Sequence, residues 1–195
     1  MASPFDRIGR SDGAGVHAHL LVVSDSHGDL SVLDGCRSRV QERRVDAVVH
    51  LGDMGPEDWP DPVPGLGPLV AVAGNTDPAG RRLPGVRVFE AGGLRFVCVH
   101  GHLQQVKTSL ALLFELAARC QADVVFYGHT HRFRLDWGKT PDGRAVLLAN
   151  PGSSFGFGLA ASAGCLFFDV RERVLTGRRM TGQGETALEI GSFAD

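Results

Sequence analysis

Gly128-His129-Thr130-His131 directly follows the apolar run 123–127. Two histidines two residues apart, where a β-branched run stops, point the same way in a continuing strand. Where the chain turns into a loop they fan around one centre instead. Either posture suits a metal ion. A lone His-x-His more often marks an exposed loop, so weight comes from other ligand types that meet it. They do so repeatedly. Asp25-Ser26-His27-Gly28 follows run 19–24, Gly52-Asp53-Met54 follows 47–51, and Gly74-Asn75-Thr76-Asp77 follows 69–73. His100-Gly101-His102 follows 94–99, and Asn150-Pro151-Gly152-Ser153 follows 145–149.

Taken singly, Asp25, Asp53 or Asn75 reads as a turn residue, because turns after strands favour Asp, Asn and Gly. His50 and His102 read equally well as histidines satisfied by local hydrogen bonds. Turn preference does not explain why Asp, His, Asp, Asn and then His recur after consecutive buried runs, on what should be one edge of one sheet. Strand ends of that kind are where α/β folds keep their chemistry.

The elements that would hold these residues are legible in outline. Leu20-Leu21-Val22-Val23 is apolar on both faces, as in a parallel sheet covered on both sides. Asp29 is placed to cap a helix carrying Leu30, Leu33, Cys36 and Val40 at helical spacing. Val106, Leu110, Leu113, Phe114 and Ala117 form a second helical stripe. Runs 165–170 and 174–175 read as a closing hairpin. The Pro-rich piece 59–68 is a long loop. Residues 1–16 read as a loose N-terminal extension before a single domain over 17–195, with His17 and His19 as surface residues.

The chain has 195 residues, enough for a core without covalent staples. Its net charge of -2, from 20 basic and 22 acidic side chains, offers no footprint for long nucleic acid or anionic lipid. Cys36, Cys98, Cys120 and Cys165 stand singly in or beside apolar runs, the pattern of small core residues in a reducing compartment. No run approaches the ~20 apolar residues of a membrane span, and the first residues lack the apolar segment of a signal peptide. The expectation is a cytoplasmic protein without a membrane partner.

Together the six blocks resemble those of the calcineurin-like metallophosphoesterases, most closely the YfcE-type phosphodiesterase branch, in that family's order across residues 20–153. The resemblance implies an α/β fold of four layers: a two-sheet β-sandwich flanked by helices, with a dimetal site at the C-terminal ends of strands. It implies that Asp25, His27 and His131 hold a first metal, that Asn75, His100 and His129 hold a second, and that Asp53 bridges them. Carboxylate, amide and imidazole donors without thiolates suit divalent Mn first, with Fe, Ni, Co or Zn as other candidates, over Mg or Ca. The implied activity is hydrolysis of a small phosphodiester, or an activated monoester, by hydroxide generated between two cations. Asp53, Asn75 and His102 would be its catalytic side chains, the last two touching non-bridging oxygens.

Two departures from the family pattern bear on substrate. Thr76 stands where many members have a histidine that protonates the leaving oxygen, which a threonine hydroxyl cannot do at neutral pH. That points to esters whose leaving groups depart without much help, unless His102 supplies the proton. After Ser153 relatives commonly show proline and arginine, whereas this chain has Ser154-Phe155-Gly156-Phe157. Phe155 and Phe157 are candidates for an aromatic wall, with packing the commoner role for such residues. Arg81 and Arg82 are candidates for phosphate contacts, with a solvated charge pair the commoner role. The alternatives are a monoesterase or nuclease of the same fold, or a protein-binding scaffold like the retromer subunit, which has lost part of its ligand set.

Overall fold

In the computed structural model, residues 6–12, 15–40, 44–56 and 59–193 are described. Their strands form two sheets. The chain runs β1 (Asp6–Ile8), β2 (Arg10–Asp12), β3 (Gly15–Val23), α1 (Ser31–Val40), β4 (Ala47–His50) and β5 (Leu69–Ala71). It continues through a 3₁₀ turn (Ala79–Arg81), β6 (Val86–Ala91), β7 (Leu94–Val99), α2 (Ala111–Cys120) and β8 (Val124–Tyr127). The last elements are β9 (Phe133–Lys139), β10 (Ala145–Pro151), β11 (Gly164–Arg171), β12 (Val174–Thr181) and β13 (Gly184–Ser192).

One sheet has the order β1-β6-β7-β8-β10-β9, the other β13-β12-β11-β3-β4-β5 with β2 against β3. Each contains a parallel set: β3, β4 and β5 at one end of one, β7, β8 and β10 in the middle of the other. Antiparallel strands lie on both sides of the β7, β8 and β10 set and on the β3 side of the other set. The residues that follow the runs are therefore divided between two sheets, as the two-sheet sandwich implied by the resemblance requires, and not on one edge of one sheet as the runs alone suggested. The alternation of β3 shows why this works. Ala18, Leu20 and Val22 face the other sheet, packing with Phe96, Phe126 and Leu147, while Leu21 and Val23 face α1. Both faces are buried, so the run reads as continuously apolar.

The second and third apolar clusters complete four layers. Val32, Leu33, Cys36 and Val40 of α1 pack on one sheet; Leu113, Leu116 and Ala117 of α2 pack on the other, against Val97, Val125 and Leu148. Asp29 accepts the Ser31 N–H at 2.8 Å, so it caps α1 as its position predicts. The cysteines are free thiols, with Cys36 and Cys165 joined at 3.0 Å between α1 and β11.

Two expectations need correction. The described part of 1–16 is not loose: Asp6–Ile8 pairs with β6 and Arg10–Asp12 with β3. A short edge strand needs backbone partners rather than apolar periodicity, so composition does not reveal it. Residues 1–5 and 13–14 lie outside the described set. His17 and His19 are strand residues of β3, not surface ones. His17 is buried, and His19 packs on the Phe167 ring and bonds the Arg44 carbonyl at 2.8 Å.

Candidate metal centre

Six loops leave the parallel strands at the same end of the sandwich, and hydrogen bonds tie each to its neighbours. Asp25 N–H donates to the Gly52 carbonyl and His27 N–H to that of Asp53, joining the loops after β3 and β4. Gly128 N–H donates to the His100 carbonyl, joining those after β7 and β8. The two sheets are linked by His129 N–H, which donates to Asp25 Oδ2 at 3.1 Å, and by His100 Nδ1 to the Leu51 carbonyl at 2.8 Å. That last bond fixes the proton on Nδ1 and leaves Nε2 facing the centre.

The ligand atoms then fall into two groups. Those of Asp25, His27 and His131 lie within 4.8 Å of one another, and so do those of Asp53, His100 and His129. The Asn75 Oδ1 lies 3.1 Å from His100 Nε2, which puts the amide with the second group. The groups adjoin, since His100 Nε2 is 4.0 Å from Asp25 Oδ1 and 3.5 Å from Asp53 Oδ2. All seven expected ligands are thus brought together.

Does this arrangement fit cations? Asp25 Oδ1 is fully buried and accepts no hydrogen bond among the described residues. It faces His131 Nε2 at 3.2 Å, while His27 and His131 turn their Nε2 atoms towards each other at 3.5 Å. Electron pairs that converge without donors are costly when buried, and a divalent ion removes the cost. The charge state agrees. Burial pushes His129 down to about 4, with His100 adding to the effect, so its imidazole is neutral and free to ligate. Burial opposes charge on Asp53 too, but hydrogen bonds from His100 and the Thr76 N–H hold it below the ordinary carboxylate range.

The backbone is bent to achieve this. Asp25, His27, Asp53, His129 and His131 all have φ between 47° and 67°, the left-handed region. Each such residue costs about 1–2 kcal/mol, and Asp and His tolerate the region better than most. Left-handed turns swing these side chains sideways over the strand ends. Gly52, at φ 91°, makes the same bend where no side chain fits: a methyl group there would come within 2.6 Å of the Gly74 nitrogen.

Several holding residues escaped sequence reasoning. Asp77 is the chief one: its buried carboxylate accepts the N–H groups of Asp53, Met54 and Gly74, each at 2.8 Å. It also pairs with Arg81 at 3.2 Å. Arg81 is accordingly no solvated charge, its side chain being 10% exposed. Arg82 is exposed. Asn150 donates to the Gly128 carbonyl at 2.9 Å and to Thr130 Oγ1, bracing the His129 loop. His50 is a satisfied histidine, bonded to Ser26 Oγ and the Gly52 N–H. The signal that could have found Asp77 is its place two residues after Asn75.

His102 stands beside the second group, its ring centroid 5.3 Å from that of His100, and is half-buried. Phe155 and Phe157 separate: Phe157 is buried against α1, whereas Phe155 is exposed.

Comparison with known proteins bears on this geometry. Residues 19–173 match the family model for the calcineurin-like phosphoesterase superfamily domain. The probable metallophosphoesterase YsnB of Bacillus subtilis is 33% identical over 135 residues, covering 69% of this chain and 74% of that one. A predicted phosphoesterase of Streptococcus pneumoniae is similar in structure, with TM-score 0.68 and 25% identity over 90% of this chain and all of that one. Vps29 of Entamoeba histolytica, solved with Zn, shares the fold at TM-score 0.71 and 18% identity, over 89% of this chain and 98% of its own. With the family model spanning every strand end that carries a ligand, the chain belongs to the calcineurin-like phosphoesterase superfamily.

Proposed function

We propose that the protein is a dimetal phosphodiesterase acting on small diesters, with Asp25, His27 and His131 on a first divalent ion, Asn75, His100 and His129 on a second, and Asp53 between them. The observation that carries this reading is the convergence of the two donor groups around the buried, unpartnered Asp25 Oδ1. Bound there, two divalent ions supply an acidified water at neutral pH and neutralise charge on the phosphoryl group.

The chain's own residues do the rest. Asn75 is exposed at the centre, so its amide is open to a non-bridging oxygen. His102 offers a second contact. Burial lowers its pKa, with His100 adding to the effect, so at neutral pH it is an uncharged imidazole. Such a ring donates a hydrogen bond to a phosphoryl oxygen but has no surplus proton for a leaving group. Thr76 has none either. The preferred substrates are therefore diesters with stable leaving groups, and Mn is the first metal to test. The completeness of the ligand set favours catalysis over a purely scaffolding role.

The test strips the purified protein with a chelator, restores Mn, Ni or Zn, and compares bis(p-nitrophenyl) phosphate with p-nitrophenyl phosphate. Metal-dependent turnover should appear, higher for the diester. Asp53→Asn, which loses one carboxylate charge between the two groups, should lose bound metal and at least about 100-fold in turnover. A reconstituted protein that binds metal and hydrolyses neither ester would leave the scaffold reading standing instead.

A further inference from the structure

The loop after β10 carries three features together. It is tied firmly to the turn that bears Asp25 and His27. Ser153 Oγ donates to the Asp25 carbonyl at 2.8 Å and accepts the Phe155 N–H at 3.1 Å. Gly156 N–H donates to Asp29 Oδ2 at 2.6 Å, and Ser31 Oγ to the Phe157 carbonyl at 3.3 Å. Phe155 is thus two hydrogen bonds from the Asp25 backbone, on a loop that three hydrogen bonds tie to residues 25–31.

The second feature is which side chains this loop shows to water. Phe157 fills the space beside Gly35 and lies under the Arg39 guanidinium, so it accounts for the packing role. Phe155 does not pack: it is 57% exposed, Leu159 is 94% exposed, and Leu30, next to Asp29, is 38% exposed. Single exposed apolar residues are ordinary, but two on one pinned loop with a third on the turn it is tied to, at the rim of a polar centre, are not. The third feature is charge. From Asn150 to Phe168 the chain has no charged side chain, so nothing there matches an ionic group.

We propose that Phe155, flanked by Leu30 and Leu159, forms an apolar lip on the Asp25–His27 side of the centre that receives a flat aromatic ester group of the substrate. This rests on the phosphoesterase reading for the phosphate-binding centre, and it narrows the substrate class to diesters bearing an aryl group or a nucleobase. A phosphate seated over the two donor groups must project its ester groups across the rim. On this side the loop brings apolar side chains and no charge of its own, the adjoining Asp29 carboxylate being occupied by the Ser31 and Gly156 N–H groups, with one aromatic face on which a ring can stack.

The experiment measures binding, not turnover. With Mn-loaded protein, titration calorimetry compares phenylphosphonate with methylphosphonate, and adenosine 5′-monophosphate with ribose 5-phosphate. The aromatic member of at least one pair should bind about tenfold more tightly. The first pair reports a directly attached aryl group, the second a nucleobase one sugar away. Phe155→Ala should bring that ratio close to one at unchanged Mn content, and Phe155→Trp should retain it. Equal affinities within both pairs, no binding of any of the four, or a ratio that survives Phe155→Ala would overturn the lip. Aromatic preference without diester hydrolysis would fault the diesterase reading alone; hydrolysis without that preference would fault the lip alone.

Discussion

Asp77 touches no ligand atom, yet it sets where two ligands stand. Its oxygens hold the Asp53 and Gly74 N–H groups, which precede the Asp53 carboxylate and the Asn75 amide, and its charge is matched by Arg81. An amide in its place loses the charge and one acceptor, leaving buried N–H groups unpaired. Asp77→Asn should therefore weaken the second Mn equivalent by about 10–100-fold and the first by less, read by competition with a metal-sensitive dye. Two unchanged affinities would remove Asp77 from the centre. The case also marks how far residues can be read without a fold. Asp25, Asp53 and Asp77 are all aspartates after apolar runs, and their residue type does not separate a ligand from a brace. The difference lies in where neighbouring N–H groups point, and two of the three that Asp77 accepts belong to a loop more than twenty positions away.

At the scale of elements, strands with continuous apolar runs were legible, the edge strand β5 among them, and strands of mixed composition were not. β4, β7 and β8 carry the runs 47–49, 96–99 and 124–127 because α1 or α2 covers one side and the opposite sheet the other. β6, β9 and β13 mix charged and apolar residues, and β9 and β13 are the outermost strands of their sheets, with backbone partners on one side only. The division into two sheets came from the family resemblance and not from the runs themselves: periodicity reports which faces are buried, not what covers them. What joins the sheets at the centre is close backbone approach. Gly128 abuts the Asp25 loop so tightly that a methyl group there would come within 2.0 Å of Ser24 Oγ and 2.8 Å of Asp25 Oδ2. Ser24 Oγ itself donates to that carboxylate oxygen. Gly128→Ala should push the His129 loop away from Asp25. Expected are a stability loss of about 1–3 kcal/mol in urea unfolding and weaker binding of both metals. Wild-type values for both would mean that the sheets have slack at this end.

Across the whole molecule, the centre makes stability depend on pH through a residue that binds no metal. His50 is fully buried between the loops after β3 and β4. Its Nδ1 accepts the Gly52 N–H at 3.1 Å, so Nε2 carries the proton and donates to Ser26 Oγ, which in turn donates to the Met54 carbonyl. A second proton on the ring would set Nδ1–H against the Gly52 N–H. Burial, with like charge on His100 and Arg81 adding to it, pushes the His50 pKa down to about 3 from an ordinary 6.5. Between those values the unfolded chain takes up a proton that the native state refuses. The contribution is complete above about pH 6.5 and lost as pH falls towards 3, at about 1.4 kcal/mol per pH unit. His50→Gln keeps an amide for Ser26 and Gly52 but has nothing to titrate. In chelator, urea unfolding at several values between about pH 4 and 7 should show wild-type stability rising more steeply with pH than that of His50→Gln, by about one proton. Every other side chain is common to the two proteins, so parallel slopes would mean that His50 accepts its proton without disturbing the loops it joins.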